Sequence, residues 1–421
     1  MASNYSKTER LVAEFLSIFP GLKIFVKRRY QSLNAILYRK SYRFQCNFEL
    51  HTIPVEGETF YGYYDHSPES EDGRYILFHL VKNQSTKSLP DAEKPIEVAV
   101  YDTQNKNLVY QNSTVSFNWQ QGSRLQWLDN RSFIYNKFSE KDGYQSVIVD
   151  LESGFPIEKI RPLPIYDCYQ MKFALTLNFS RLNKFRPDYG YRNLKNSNLP
   201  NYQEDGVFYL DLSTGEKKLI IKISSLKELQ PNQLMDAADH KVNHIMISPS
   251  GGHFIFLHRY LINGRRFDRL ILSDIEGNKL KVLADDDMVS HCCWANDNEI
   301  IAYLRDFEIG DRYYKVNIHN ASKTIVGENI IDMFGDGHPS VHQDHLVFDT
   351  YPNKSRMKDL FHFNLNNDNL TKLGEFYEGM EYYGETRCDL HPRLNKSGNK
   401  VYFDSVHEGK RSLYWIGIYD K

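Results

Sequence analysis

Short runs in which apolar and polar residues alternate, each closed by a polar turn, recur along most of the chain. Alternation with a period of two marks half-buried β-strands. One phrase repeats in phase: a polar residue, about seven further positions, a turn, then a β-rich run. It reads HSPESEDGRYILF from His66, HIMISPSGGHFIF from His244, HCCWANDNEIIAY from His291, HPSVHQDHLVFDT from His338 and HPRLNKSGNKVYF from His391. Seven places after each histidine, in the turn, stand Gly73, Gly251, Asn298, His345 and Gly398. The last four copies are 47, 47 and 53 residues apart. Between His66 and His244 there is room for two more, RLQWLDNRSFIYN from Arg124 and a degenerate PIYDCYQMKFALTL from Pro164. That makes seven units.

Each unit divides into four short strands; in the fifth they fall near His291–Trp294, Glu299–Leu304, Tyr313–Ile318 and Lys323–Val326. Four-stranded antiparallel units of this length are propeller blades, whose radial repetition hides most sheet edges. The seventh unit supplies strands near His391, Val401–Asp404 and Leu413–Tyr419 and then lacks one, which the strand-like Phe48–Val55 can provide. The expectation is an all-β chain: a seven-bladed propeller over residues 46–421, closed by an N-terminal strand. Residues 1–45 form a basic extension outside it, helical around Thr8–Ile18. That extension carries Lys23, Lys27, Arg28, Arg29, Arg39, Lys40 and Arg43 beside Phe, Leu and Tyr, a composition suited either to peripheral contact with a membrane or to a helical cap packed on the propeller.

Composition agrees with this pattern. Among 421 residues, 29 Tyr and 25 Phe favour pleated, half-buried surfaces. Lys plus Arg is 52 against 54 Asp plus Glu, which leaves no basic surplus for binding nucleic acid. No run reaches the roughly 18 apolar residues of a membrane helix. Glu9, Glu14 and Pro20 do not fit a signal peptide. Five cysteines, Cys46, Cys168, Cys292, Cys293 and Cys388, lack CxxC spacing and read as reduced thiols. The expected location is cytoplasmic, with peripheral attachment to the inner membrane through residues 1–45 as an option.

The phase of the repeat has chemical consequences. Residues at the start of each innermost strand converge on the central channel, so His244, His291, His338 and His391, with His66 in the next blade, share one funnel. Neutral imidazole is the commonest metal ligand, and three of them leave a coordination position open. The plainer account is that histidines fill a polar channel mouth. A zinc site from His291, Cys292 or Cys293, and Cys388 is a weaker variant. Loops on the same face are basic: Ser180–Gln203 holds Arg181, Lys184, Arg186, Arg192 and Lys195 against Asp188, with Tyr189, Tyr191 and Tyr202 interleaved. Arg259–Arg269 adds Arg265 and Arg266, and other loops add Lys354, Arg356, Lys358, Lys410 and Arg411. Such a face would focus an anionic ligand, arginine forks matching carboxylates and tyrosines stacking on sugars. In NWQQGSRLQW, Trp127 reads as core and Arg124 as the funnel residue. No Walker loop, GxSxG elbow or HExxH occurs.

The segments GYYDHSPESEDGRYILFH, NWQQGSRLQWL, NFSRLNKFRPDYGY, ADDDMVSHCCW, DGHPS and RCDLHPRLNKSGNKVYFDSVHEGKRSLY, spread from Tyr61 to Tyr414, resemble a family of bacterial propeller proteins from polysaccharide-biosynthesis regions, often labelled glycosyltransferase. More distantly the chain is similar to the seven-bladed oligogalacturonate and ulvan lyases. The first resemblance implies an association with surface polysaccharide, the second β-elimination at a uronic acid. Oligogalacturonate lyases hold manganese with three histidines and a glutamine, and another histidine is the base. By order and spacing the resemblance implies His291, His338 and His391 as metal ligands and His244 as base; the glutamine has no clear counterpart, and a lysine-like position in GYYDKSP is His66 here. The metal expected is divalent, manganese or zinc. Arg181 or Arg259 would clamp the uronate carboxylate, and Arg124, Tyr64, Tyr191 and Arg393 would bind the remaining acidic polysaccharide or oligosaccharide. The competing expectation is a non-catalytic, polysaccharide-binding or glycosyltransferase-associated propeller. A glycosyltransferase in its own right is disfavoured, because no alternating strand–helix pattern marks a nucleotide-binding domain.

Overall fold

The computed structural model of the chain describes residues 20–151, 156–194 and 198–418. Seven antiparallel sheets follow one another, and the innermost strands are Glu58–Phe60, Gln126–Trp127, Asp167–Tyr169, Asp239–Ile247, Val289–Asn296, Ser340–His342 and Arg393–Leu394. The protein is a seven-bladed β-propeller with a short N-terminal helix. Closure is as expected: His51–Thr52 pairs with Ser412–Gly417 and supplies the outer strand of blade 7. An element not anticipated precedes it. Phe44–Cys46, which straddles the expected boundary at 45/46, pairs with Leu370–Tyr377 as a fifth strand of blade 6. The chain's N-terminal part thus ties two neighbouring blades.

Apolar residues of adjacent sheets interlock between the blades, and two tryptophans fix their spacing. Trp127 Nε1 donates to the Pro68 carbonyl 2.8 Å away, and Trp294 Nε1 to the Met246 carbonyl 3.0 Å away. In each case the donor belongs to one blade and the acceptor to the blade before it, Met246 on the inner strand and Pro68 just before pairing resumes at Glu69. Trp127 is packed, as its pattern implied.

Helix α1, Pro20–Leu37, lies against the loop of blade 6, with Tyr30, Gln31 and Asn34 beside Pro352 and Asn353. Arg28 stacks over Tyr383, 5.4 Å from the ring centre. Phe25, Leu33, Ile36 and Leu37 are exposed on its outer side. The helix expected at Thr8–Ile18 lies outside the described residues. No described helix is long and apolar enough to cross a membrane.

What positions the site is an irregularity repeated in the inner strands. The register of blade 4 breaks between Asn243 and Met246, around His244, and that of blade 5 between Val289 and Cys292, around His291. A bulge redirects a side chain out of the pleat. Arg124, His244 and His391 have φ of 57°, 52° and 47°, left-handed values that cost a non-glycine residue on the order of 1 kcal/mol or more. Blade 1 goes further: after Phe60 pairs with His79, pairing resumes only at Glu69 with Ile76, so the intervening segment loops out. It enters the channel and carries Tyr63 and Tyr64 among the histidines. His66 lies in that loop, not at the start of an inner strand as the repeat implied.

Candidate functional site

The channel brings together four of the five in-phase histidines. Ring centres are 6.1 Å apart for His244 and His291, 4.1 Å for His291 and His338, and 4.3 Å for His338 and His391. All four are buried. His66 is not among them; its Nε2 is 3.0 Å from Asp167 Oδ1.

Three of the rings are held by Nδ1. That of His291 is 3.0 Å from Asp336 Oδ1, while Ser290 Oγ donates to the other oxygen at 2.6 Å. His338 Nδ1 is 2.9 Å from Asp349 Oδ1, and His391 Nδ1 donates to the Gly62 carbonyl at 2.7 Å. A carbonyl only accepts, so His391 carries its proton on Nδ1 and a lone pair on Nε2. Asp349 also accepts the backbone N–H groups of His338 and His391, at 2.8 and 3.1 Å. The Nε2 atoms of His338 and His391 are buried without a hydrogen-bond partner. Orphaned buried nitrogens are costly unless a ligand meets them. Holding one ring nitrogen so that the other is aimed inward is the arrangement that supports a metal-bound histidine. Ligand atoms of His338, His391 and Asp389 lie within 4.8 Å of one another. The donors present therefore fit a divalent cation such as manganese or zinc.

Electrostatics divide these residues. Burial pushes His338 down, but Asp349, Asp389 and Asp336 outweigh it and hold the ring above its ordinary range. His391 is held well below it, by burial first and then by His338. Burial opposes ionisation of Asp389, yet Arg387 and Lys358 keep its carboxyl well below the usual range. His244 stands apart. Burial, then Arg259, holds it well below its ordinary value, so it is neutral at physiological pH. Its Nδ1 is 2.6 Å from the Tyr63 hydroxyl.

The other expected site residues are placed as follows. Arg259 is buried in His244's own blade, on the strand paired with the inner one, with Nε 2.8 Å from Asp268 Oδ1, and its Nη1 has no partner. Arg181 is not in the cluster: on α2, Phe179–Phe185, it pairs with Asp205 at 2.5 Å and donates to the Pro200 carbonyl. Arg181 is thus engaged away from the cluster, while Arg259 is engaged by Asp268 within the blade that carries His244. Arg124 reaches the channel but pairs with Asp65 at 2.7 Å and stacks 4.3 Å from the Tyr166 ring. Arg393 pairs with Asp404 at 2.8 Å and donates to the Gly62 carbonyl, pinning the blade 1 loop. Tyr191 is stacked on Phe179 at 4.2 Å with its hydroxyl on Asn136, inside the blade 3 loop. Tyr64 lies against His291, His338 and His391, but its hydroxyl is engaged by both the N–H and the carbonyl of Cys292. Arg124, Tyr64 and Tyr191 thus have tertiary partners for their polar ends, whereas Arg393 keeps Nε and Nη1 buried without a hydrogen-bond partner.

The cysteine variant of a zinc site is likewise not assembled. All five cysteines are free thiols, and among the described residues none joins the ligand group formed by His338, Asp389 and His391. The uniformly basic face is also reduced. Arg186 and Arg387 share Asp188, Arg192 meets Glu385, and Lys358 and Arg356 share Glu378. Lys195 lies outside the described residues. Below the tyrosines the channel opens at its other end into a cavity of about 510 Å³, walled by Trp127, Trp294 and Leu394.

Several important residues escaped the sequence reading: Asp336, Asp349, Asp389, Tyr63 and the Gly62 carbonyl. Two had a usable signal. Asp336 and Asp389 each stand two residues before an in-phase histidine, a repeated D-x-H. Asp349 and Gly62 reach the histidines only through the sheet and across the ring closure.

No protein-family model and no curated protein matches the chain. Solved structures do. An oligogalacturonate lyase from Vibrio parahaemolyticus aligns over 90% of this chain and 97% of its own, at 12% identity and a TM-score of 0.53. An oligogalacturonate lyase in complex with manganese aligns over 91% of this chain and 99% of its own, at 15% identity and a TM-score of 0.57. The chain shares their fold. Of the two resemblances read from the sequence, the distant one to these lyases is matched at the level of fold, whereas none of the comparisons supports the polysaccharide-biosynthesis family.

Proposed function

We propose that this propeller is a polysaccharide lyase-like protein that acts by metal-assisted β-elimination on a chain containing uronic acid. One observation carries the proposal: three buried histidines with Nδ1 anchored converge beside a fourth that is held neutral. The fold shared with a manganese-bound oligogalacturonate lyase supports it.

Removal of the proton at C5 of a uronate places negative charge next to a carboxylate, so that charge must be offset. A divalent cation held by His338, His391 and Asp389, with the His291 ring next to His338, would supply that offset as a Lewis acid. Arg259 adds a fixed cation beside the same group. In the tautomer in which His244 Nδ1–H donates to Tyr63 Oη, Nε2 keeps a lone pair for the C5 proton. The C5–H electron pair forms the C4–C5 double bond, the C4–O bond breaks, and the leaving oxygen is protonated by solvent.

The test uses the full chain with manganese and, separately, polygalacturonate and other acidic polysaccharides, following the ultraviolet absorbance of the unsaturated product. Wild type should produce it and His244→Ala should not, while manganese binding by that variant persists. Binding of polysaccharide without product in any case would instead establish the non-catalytic alternative.

A further inference from the structure

A buried lysine without a counter-charge lies near the histidine site. Lys241 is on the inner strand of blade 4, three residues before His244, about 10 Å along the strand. It is 1% exposed, and its Nζ donates to the Phe185 carbonyl at 3.2 Å. Its cross-strand partner is Arg259. The other charged groups facing it are Arg266 from the same blade, and Arg186 and Asp188 from the loop of blade 3. Neither nearby carboxylate is spare. Asp188 is shared by Arg186 at 2.9 Å and Arg387 at 2.8 Å, and Asp268 by Arg259 at 2.8 Å and Arg266 at 3.1 Å. Lys358 shows the contrast: it is equally buried, but Glu378 at 3.0 Å and Asp389 hold its ammonium above the ordinary range. Lys241 has no such partner, and burial, then Arg259, Arg186 and Arg266, push it down to about 6. A buried lysine left without an anion is destabilising, and the arginines around it already share the nearby carboxylates, so the cluster calls for one further anion.

We propose that Lys241, Arg266 and Arg186 form a second anion subsite, adjoining His244 and taking one acidic group, a carboxylate or sulfate. Access is open, since the side chains of Arg186 and Arg266 are 25% and 37% exposed. That the acidic group belongs to the sugar next to the one at His244 rests on the lyase reading; the subsite itself does not. Together they specify a substrate with acidic groups on neighbouring sugars, not one in which a lone uronate is flanked by neutral units.

The probe is inorganic sulfate, titrated calorimetrically at pH 7 in two buffers of different ionisation enthalpy. Sulfate binding restores the ammonium, so wild type should take up a proton as it binds, because burial and the neighbouring arginines hold the amine below its ordinary range. Lys241→Met should bind at least about tenfold more weakly with no uptake. Lys241→Arg should bind without uptake, and circular dichroism confirms folding of both. No sulfate binding by wild type, binding without proton uptake, or uptake retained in Lys241→Met overturns the subsite. A second arm compares galacturonate with digalacturonate on His244→Ala, where only the dimer should draw the proton. Sulfate uptake through Lys241 with no uronate bound would leave the subsite standing and remove the lyase reading.

Discussion

Asp349 is the residue whose removal most directly tests the histidine cluster. Its two oxygens accept from His338 Nδ1, from the His338 N–H and from the His391 N–H, all between 2.8 and 3.1 Å. In Asp349→Asn one oxygen becomes an NH2 group, which faces a donor it cannot accept from. One buried donor left unpaired costs about 1–3 kcal/mol of stability. The ring of His338 loses its anionic anchor at the same time. Loss of an outer partner of a ligating histidine lowers metal affinity about 10–100-fold, or roughly 1.4–2.7 kcal/mol. Two measurements separate these effects: urea unfolding of the metal-free variant, and calorimetric titration with manganese and zinc. A variant that is destabilised as calculated but binds metal within about twofold of wild type would refute the assignment. Absence of metal binding in wild type would return the histidines to fillers of a polar channel mouth.

Arg181→Met should destabilise the fold by about 3–5 kcal/mol, because Asp205 is left charged and buried, while manganese affinity is unchanged; denaturation and metal titration read the two. Gly337→Ala should be disruptive at the site itself, since a Cβ there would lie 1.9 Å from the Asp349 carbonyl oxygen and must displace His338 or its anchor; weaker metal binding checks this. Stability should fall as pH drops below about 6.5. Buried His79 and His407 are held down to about 3 and about 4 by burial, so the unfolded chain takes up protons that the folded one refuses. From about 6.5 down to about 4 each contributes a loss of up to about 1.4 kcal/mol per pH unit, and His79→Phe should flatten the slope in urea unfolding followed against pH.

Much of the architecture was legible in the chain because a propeller is a local repeat. Strand periodicity, turn residues and a spacing near 47 fix each blade from its own residues, and a missing last strand points to the N-terminus for closure. The phase of the repeat likewise placed His244, His291, His338 and His391 in one funnel, since residues at one position of a radial repeat must converge. What the chain could not disclose depends on partners distant in sequence. Residue type alone made Arg181, Arg393 and Tyr191 look available, and only folding revealed Asp205, Asp404 and Asn136 as their partners. The blade 1 loop that carries Tyr63 into the channel breaks the repeat, so no pattern announced it. Lys241 is the converse case: unremarkable by type and position, it became significant because packing surrounded it with cations and gave every nearby carboxylate to an arginine. Repetition decided where side chains stand; desolvation and pairing, which are properties of the assembled interior, decided which of them remain free to react.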